Sequence, residues 1–161
     1  MKRILIYGNA GTGKSTLAKK FVLETDLPLL DLDTVAWDEP GVREVEETTL
    51  SSIRAFINEN EYWVIEGCYG SMIKELIHSC TELYFLNPGI DASVNNNAKR
   101  LWEPHKYESM TIQNAHFDKL QEWVKQYKNR KDEFSYDYHR MIFSDFSGLK
   151  YEHTSLEEYC L

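Results

Sequence analysis

Gly8-Asn9-Ala10-Gly11-Thr12-Gly13-Lys14-Ser15-Thr16 decides the fold of this 161-residue chain. The stretch has the phosphate-binding spacing: a glycine, four residues, then Gly-Lys-Ser/Thr. Gly8, Gly11 and Gly13 accept backbone angles that larger residues resist, so successive N–H groups can turn toward an anion. Lys14 adds a point charge for the β- and γ-phosphates, and the Ser15 hydroxyl is a ligand for Mg²⁺. The flanks agree. Lys2 to Tyr7 is a short apolar run suited to a buried parallel strand, and Ser15 to Leu23 carries helical spacing with Leu17 and Phe21 facing inward. A helix starting there points its positive end at the phosphates.

Composition narrows the possible partners. Apolar residues make up 42% of the chain and aromatics 13%, which suits a globular domain and argues against disorder. A net charge of −8 argues against nonspecific binding to nucleic acid or to an anionic membrane surface. Nucleotide phosphates must then meet a local cluster of cations together with Mg²⁺. Cys68, Cys80 and Cys160 show no close pairing, no signal-like segment opens the chain and no run approaches a membrane span. The expectation is one cytoplasmic domain over residues 1–161, monomeric or homodimeric, without repeat or linker.

Beyond the loop, Leu29-Leu30-Asp31-Leu32-Asp33 reads as a second strand, so strand, helix and strand fall within about 30 residues as in a parallel βαβ unit. Two-residue spacing puts Asp31 and Asp33 on one face if the strand continues that far. Such a pair can hold metal-bound water or accept a hydroxyl proton, or one of the two can cap the next turn; Asp33 is the better candidate base. Residues 44–60 form an amphipathic helix through Leu50, Ile53, Phe56 and Ile57, with Arg54 at its edge, placed either to reach over a substrate pocket or to lie in solvent. Tyr62 to Glu66 is a third strand. Glu66 stands where a carboxylate either orients Mg²⁺-bound water or ends the strand in a salt bridge, and Gly67 permits close backbone approach of a substrate.

A helix over about 71–79, a strand over 82–87, and helices over about 91–101, 111–129 and 132–143 follow; a fifth strand spans 149–154. Between residues 99 and 107, Lys99, Arg100, His105 and Lys106 gather in an otherwise acidic chain. This is either a solvated loop or a lid that brings a cation to the transferred phosphoryl group, with Arg100 the leading candidate. His139 and His153 show no metal-ligand spacing and read as structural.

These features together resemble the nucleoside-monophosphate and shikimate kinase group of P-loop proteins, and in particular small bacterial proteins described as shikimate-kinase-like or topology-modulation-like. The resemblance is carried by Gly8–Thr16, Asp31-Leu32-Asp33, Glu66-Gly67 and Trp102-Glu103-Pro104-His105-Lys106-Tyr107. It implies a three-layer α/β fold with a five-stranded parallel sheet in the order 2-3-1-4-5 and a lid-like segment over about 100–130. It implies Mg²⁺·ATP as phosphoryl donor and a small hydroxyl- or phosphate-bearing metabolite as acceptor. Asp31 would then serve the Mg²⁺ shell and Asp33 the acceptor hydroxyl, and Arg100, with Arg130 second, would be the lid arginine. Where shikimate kinases carry three glycines after the third strand, this chain has Gly67-Cys68-Tyr69-Gly70. Two other function classes stay open: a regulatory nucleotide-binding protein, with weak ATPase activity, acting through a partner, and a nucleic-acid-binding module that kept the loop, which the acidic charge disfavours.

Overall fold

The computed structural model describes residues 2–39, 42–99 and 108–159. Its centre is β1 (Arg3–Gly8), in which Ile4, Leu5, Ile6 and Tyr7 are all fully buried. A strand buried on both faces reads as a continuous apolar run, as a central parallel strand must. α1 (Lys14–Thr25) returns the chain to β2 (Leu29–Asp31), which ends two residues earlier than the sequence suggests. α2 (Asp33–Ala36) follows, then a ribbon of β3 (Trp37–Glu39) and β4 (Val42–Arg43), then α3 (Glu46–Glu59). The second half contains β5 (Trp63–Gly67), α4 (Gly70–Leu76), β6 (Glu82–Leu86), α5 (Ile90–Ala98), α6 (Met110–Lys125), α7 (Tyr136–Asp145) and β7 (Leu149–His153).

The parallel sheet runs β2-β5-β1-β6-β7. Within the sheet this is the second, third, first, fourth and fifth strand, as expected; the difference in detail is the separate antiparallel β3-β4 ribbon, which the sequence reading did not anticipate. Alternate side chains of the sheet feed two cores. Leu5, Tyr7, Ile65, Leu83 and Phe85 pack with Ile53 of α3, Met72 and Ile73 of α4 and Ile142 of α7. Ile4, Ile6, Val64, Tyr84 and Leu86 pack with Leu17 and Ala18 of α1 and with Tyr159. The period of two that sends neighbours to opposite faces therefore builds the three layers. Ser155 and Glu158 form a reciprocal capping box on a single 3₁₀ turn over Leu156–Glu158. No helix among the described residues is long and apolar enough to cross a membrane.

Register brings the chemistry to one edge. Asp31 of β2 lies beside Glu66 of β5, and Gly67 lies beside Tyr7 of β1, at the carboxyl ends of all three strands. Open α/β sheets bind ligands in the crevice outside that edge.

Candidate active site

The loop between β1 and α1 is a closed ring of hydrogen bonds. Gly11 and Gly13 take φ of 78° and 83°, the left-handed region that glycine enters without strain. The Lys14 ammonium donates to the Asn9 carbonyl at 2.8 Å, and the Thr12 hydroxyl donates to the same oxygen at 2.9 Å. Asn9 works in both directions: its Oδ1 accepts from the Ala10 N–H at 2.9 Å, and its amide nitrogen donates to the Val124 carbonyl on α6 at 3.0 Å. On the α5 side, Asn96 donates to the Gly11 carbonyl at 2.8 Å, and a Cβ on Gly11 would lie 2.3 Å from the Ser93 carbonyl. The Tyr159 hydroxyl donates to the Thr12 carbonyl at 2.5 Å. Thr16 sits exposed in the first turn of α1, its N–H on the Gly13 carbonyl at 3.1 Å.

Next to the loop, the Ser15 hydroxyl donates to Glu66 Oε1 at 2.5 Å. Glu66 is 3% exposed. Burial raises its pKa, Asp31 and Asp33 add to the rise, and Lys14 and the Ser15 hydrogen bond oppose it. A buried carboxylate that draws its charge balance from Lys14 and a hydroxyl fits a hard divalent cation, which prefers oxygen ligands. Among the described residues no three His, Cys, Asp or Glu side chains group into a metal site of their own, so a cation here would be shared with phosphate oxygens.

The expected strand face carrying both aspartates is not formed. Asp31 closes β2, and its Oδ1 accepts the Asp33 N–H at 2.9 Å, while Thr34 Oγ1 donates to the Asp31 carbonyl at 2.7 Å. Aspartate competes for nearby backbone donors in this way, and here that breaks the strand. Asp33 is thus the first residue of α2, and its Oδ1 accepts from the Tyr69 hydroxyl at 2.6 Å. The same hydroxyl accepts from the Trp37 indole N–H at 2.8 Å, so Trp37, Tyr69 and Asp33 form a chain across three elements. Burial, with Asp33 alongside, pushes the Tyr69 phenol far above its ordinary range and keeps it a donor.

Three other expectations change. A Cβ on Gly67 would lie 2.8 Å from the Leu32 side chain, so the missing side chain makes room for a buried leucine rather than opening a path to a substrate. Arg54 lies on the exposed face of α3 and bonds none of these groups; Arg43, on the unanticipated ribbon, is the arginine beside them, its guanidinium 4.9 Å from the Tyr69 ring. Arg130 is held by Asp132 at 2.8 and 2.7 Å and stacks 4.1 Å from the Trp123 ring centre. Arg100 and the Trp102–Tyr107 stretch lie outside the described residues.

His139 supports this side from beneath. It is fully buried, and its Nε2 lies 3.0 Å from the Cys68 carbonyl. A carbonyl can only accept, so Nε2 carries the hydrogen and Nδ1 accepts from the Tyr127 hydroxyl at 2.8 Å. Burial pushes the imidazole pKa down to about 4, which keeps the ring neutral. The ring therefore pins the turn between Glu66 and Tyr69.

No family model matches the chain, and no curated protein matches it in sequence. Solved structures do match. A gluconokinase from Sinorhizobium meliloti superposes with a TM-score of 0.57 at 14% identity, covering 98% of this chain and 86% of that one. Shikimate kinase from Acinetobacter baumannii, solved with shikimate, gives 0.52 at 11%, covering 99% and 89%. A sugar kinase from Janibacter gives 0.51 at 14%, covering 94% and 85%. The chain has the P-loop small-molecule kinase fold. At these identities the likeness is one of fold, and what the site does must be argued from its own residues.

Proposed function

We propose that the protein is a kinase that moves the γ-phosphoryl group of Mg²⁺·ATP to a small metabolite. The observation that supports this reading most directly is the pair of carboxylates at one sheet edge. Glu66 receives the Ser15 hydroxyl at the loop, and Asp33 is held by Tyr69 one strand away. In this reading the backbone of Gly8, Asn9, Ala10, Gly11, Thr12, Gly13, Lys14, Ser15 and Thr16 surrounds the phosphates, and Lys14 turns from the Asn9 carbonyl toward the β- and γ-oxygens. Ser15, Glu66 and Asp31 supply the metal shell. Bound Mg²⁺ would neutralise charge on the β- and γ-phosphates. Asp33 holds the acceptor hydroxyl in line and takes its proton, a light task because phosphoryl transfer has a loose transition state. Arg100 serves as lid cation, and Arg130 lies with the acceptor end.

Calorimetry with Mg²⁺ and a nonhydrolysable ATP analogue tests the donor half. Wild type should bind, and Lys14→Ala should lose about 10²-fold or more in affinity with an unchanged circular dichroism spectrum. Equal affinity in the two proteins would remove the basis of the proposal. A thermal-shift screen of hydroxylated metabolites in the presence of the analogue then searches for the acceptor.

A further inference from the structure

Beside Asp33, the Arg43 guanidinium and the Ser71 N–H and hydroxyl, donors able to bind an anion, are already in use by the chain itself. Arg43 Nη2 lies 2.9 Å from Glu133 Oε1. Glu133 Oε2 accepts from the Ser71 N–H at 2.9 Å and from the Ser71 hydroxyl as well. Both oxygens of one carboxylate are therefore held by a guanidinium, an amide and a hydroxyl, the set of partners by which a carboxylate ligand is usually bound. The cluster adjoins the candidate base directly: Arg43 stacks on Tyr69, whose hydroxyl reaches Asp33, and Ser71 follows Tyr69 by two residues. The residue before Glu133 forms a second ion pair. Asp132 takes Arg130 through both of its oxygens, and the two guanidinium groups flank the Phe134 ring at 5.2 and 5.5 Å.

Resting on the kinase reading, we propose that Glu133 is a specificity-determining residue: its carboxylate fills an anion subsite on the acceptor side, so the acceptor there is a neutral hydroxyl compound and not a carboxylate or phosphate ester. Two features support this beyond the ion pair itself. Among the described residues, Arg43 and Arg130 are each matched by an internal acid, so these two ion pairs bring no net positive charge to that side of the site. A ligand carboxylate at Ser71 would have to displace Glu133 or lie beside it as a second like charge, which a partly buried site disfavours. The rings packed around the two ion pairs, Tyr69, Phe134 and Trp123, are aromatic and add no charge of their own.

Matched probes that differ only in charge test this. D-gluconate with D-glucitol, and shikimate with methyl shikimate, are titrated by calorimetry into the protein with Mg²⁺ and a nonhydrolysable ATP analogue. Wild type should take the neutral member of a pair at least as well as the anion. Glu133→Gln frees Arg43 and should improve the affinity for at least one carboxylate probe by about tenfold or more, with its neutral counterpart little changed. Ser71→Ala, which removes one donor that holds Glu133 but leaves the ion pair, should act in the same direction by less. If wild type prefers a carboxylate over its neutral partner, or if neither variant gains affinity for any carboxylate, the assignment of Glu133 is overturned. Binding of the analogue in the same titrations separates the two ideas. With nucleotide bound and carboxylates preferred, only this inference fails; without nucleotide binding, the kinase reading fails and takes this inference with it.

Discussion

The phosphate side and the acceptor side of the site are assembled in opposite ways. The phosphate side is one uninterrupted stretch, Gly8 to Thr16, whose inner bonds span five residues or fewer, such as Lys14 to Asn9, and which Val124, Asn96 and Tyr159 brace from outside. The acceptor side has no sequence of its own. Asp33, Tyr69 and Glu133 come from three separate segments, and the Arg43–Glu133 bond joins positions 90 residues apart. One half has a local ring of bonds that the fold then braces, and the other has no local part at all. Substitutions should therefore damage the two halves independently, except where a residue braces the frame between them.

His139 is such a brace, and it should give the largest effect. Its folded pKa of about 4 lies below the ordinary 6.5, so between those values the unfolded chain binds a proton that the folded chain refuses. Stability is then fully present above pH 6.5 and falls as pH drops toward 4, by about 1.4 kcal/mol per unit, on the order of 3 kcal/mol across the window. Denaturant melts of wild type and His139→Gln over that range should show a clearly flatter dependence for the variant. Glu66 acts in the opposite sense, since its raised pKa favours the folded state at lower pH, and it is present in both proteins. Parallel pH curves would show that His139 is not held neutral.

Asp33→Asn should act on the acceptor half alone. Once an acceptor is in hand, turnover should fall by roughly 10²-fold, and the affinity for the ATP analogue should stay near that of wild type. A matching loss of nucleotide affinity would mean that the two halves are not separable.

Glu66→Gln should have a smaller effect, confined to the phosphate half. The Mg²⁺ concentration needed for half-maximal binding of the analogue should rise about tenfold, while metal-free binding changes little. An unchanged Mg²⁺ requirement would take Glu66 out of the metal shell and leave Ser15 and Asp31.

The same contrast explains what could be read from the chain in advance. The phosphate loop, its strand and its helix were legible because their bonds are local, and Glu66 was legible because a carboxylate closing an apolar strand stands out. The short second strand was not. Period-two spacing places Asp31 and Asp33 on one face, but the Asp31 side chain takes the Asp33 N–H and begins a helical turn. Nothing local indicated that residues 37–39 and 42–43 pair, or that Arg43 reaches Glu133. Arg54 drew attention because it borders an amphipathic face, and that face turned it to solvent. Tyr69 stood in plain view in place of a glycine, and only the fold revealed what its hydroxyl touches.

Tyr159 carries one more consequence. Its hydroxyl, bonded to the Thr12 carbonyl, joins positions 147 residues apart and packs its ring into the same core as β1 and α1. A ribosome releases the chain from the amino end, so Thr12 emerges 147 residues ahead of Tyr159 and waits for it before this clamp can close. A nascent chain stalled before residue 159 would carry the complete loop sequence and all five strands of the parallel sheet without that clamp.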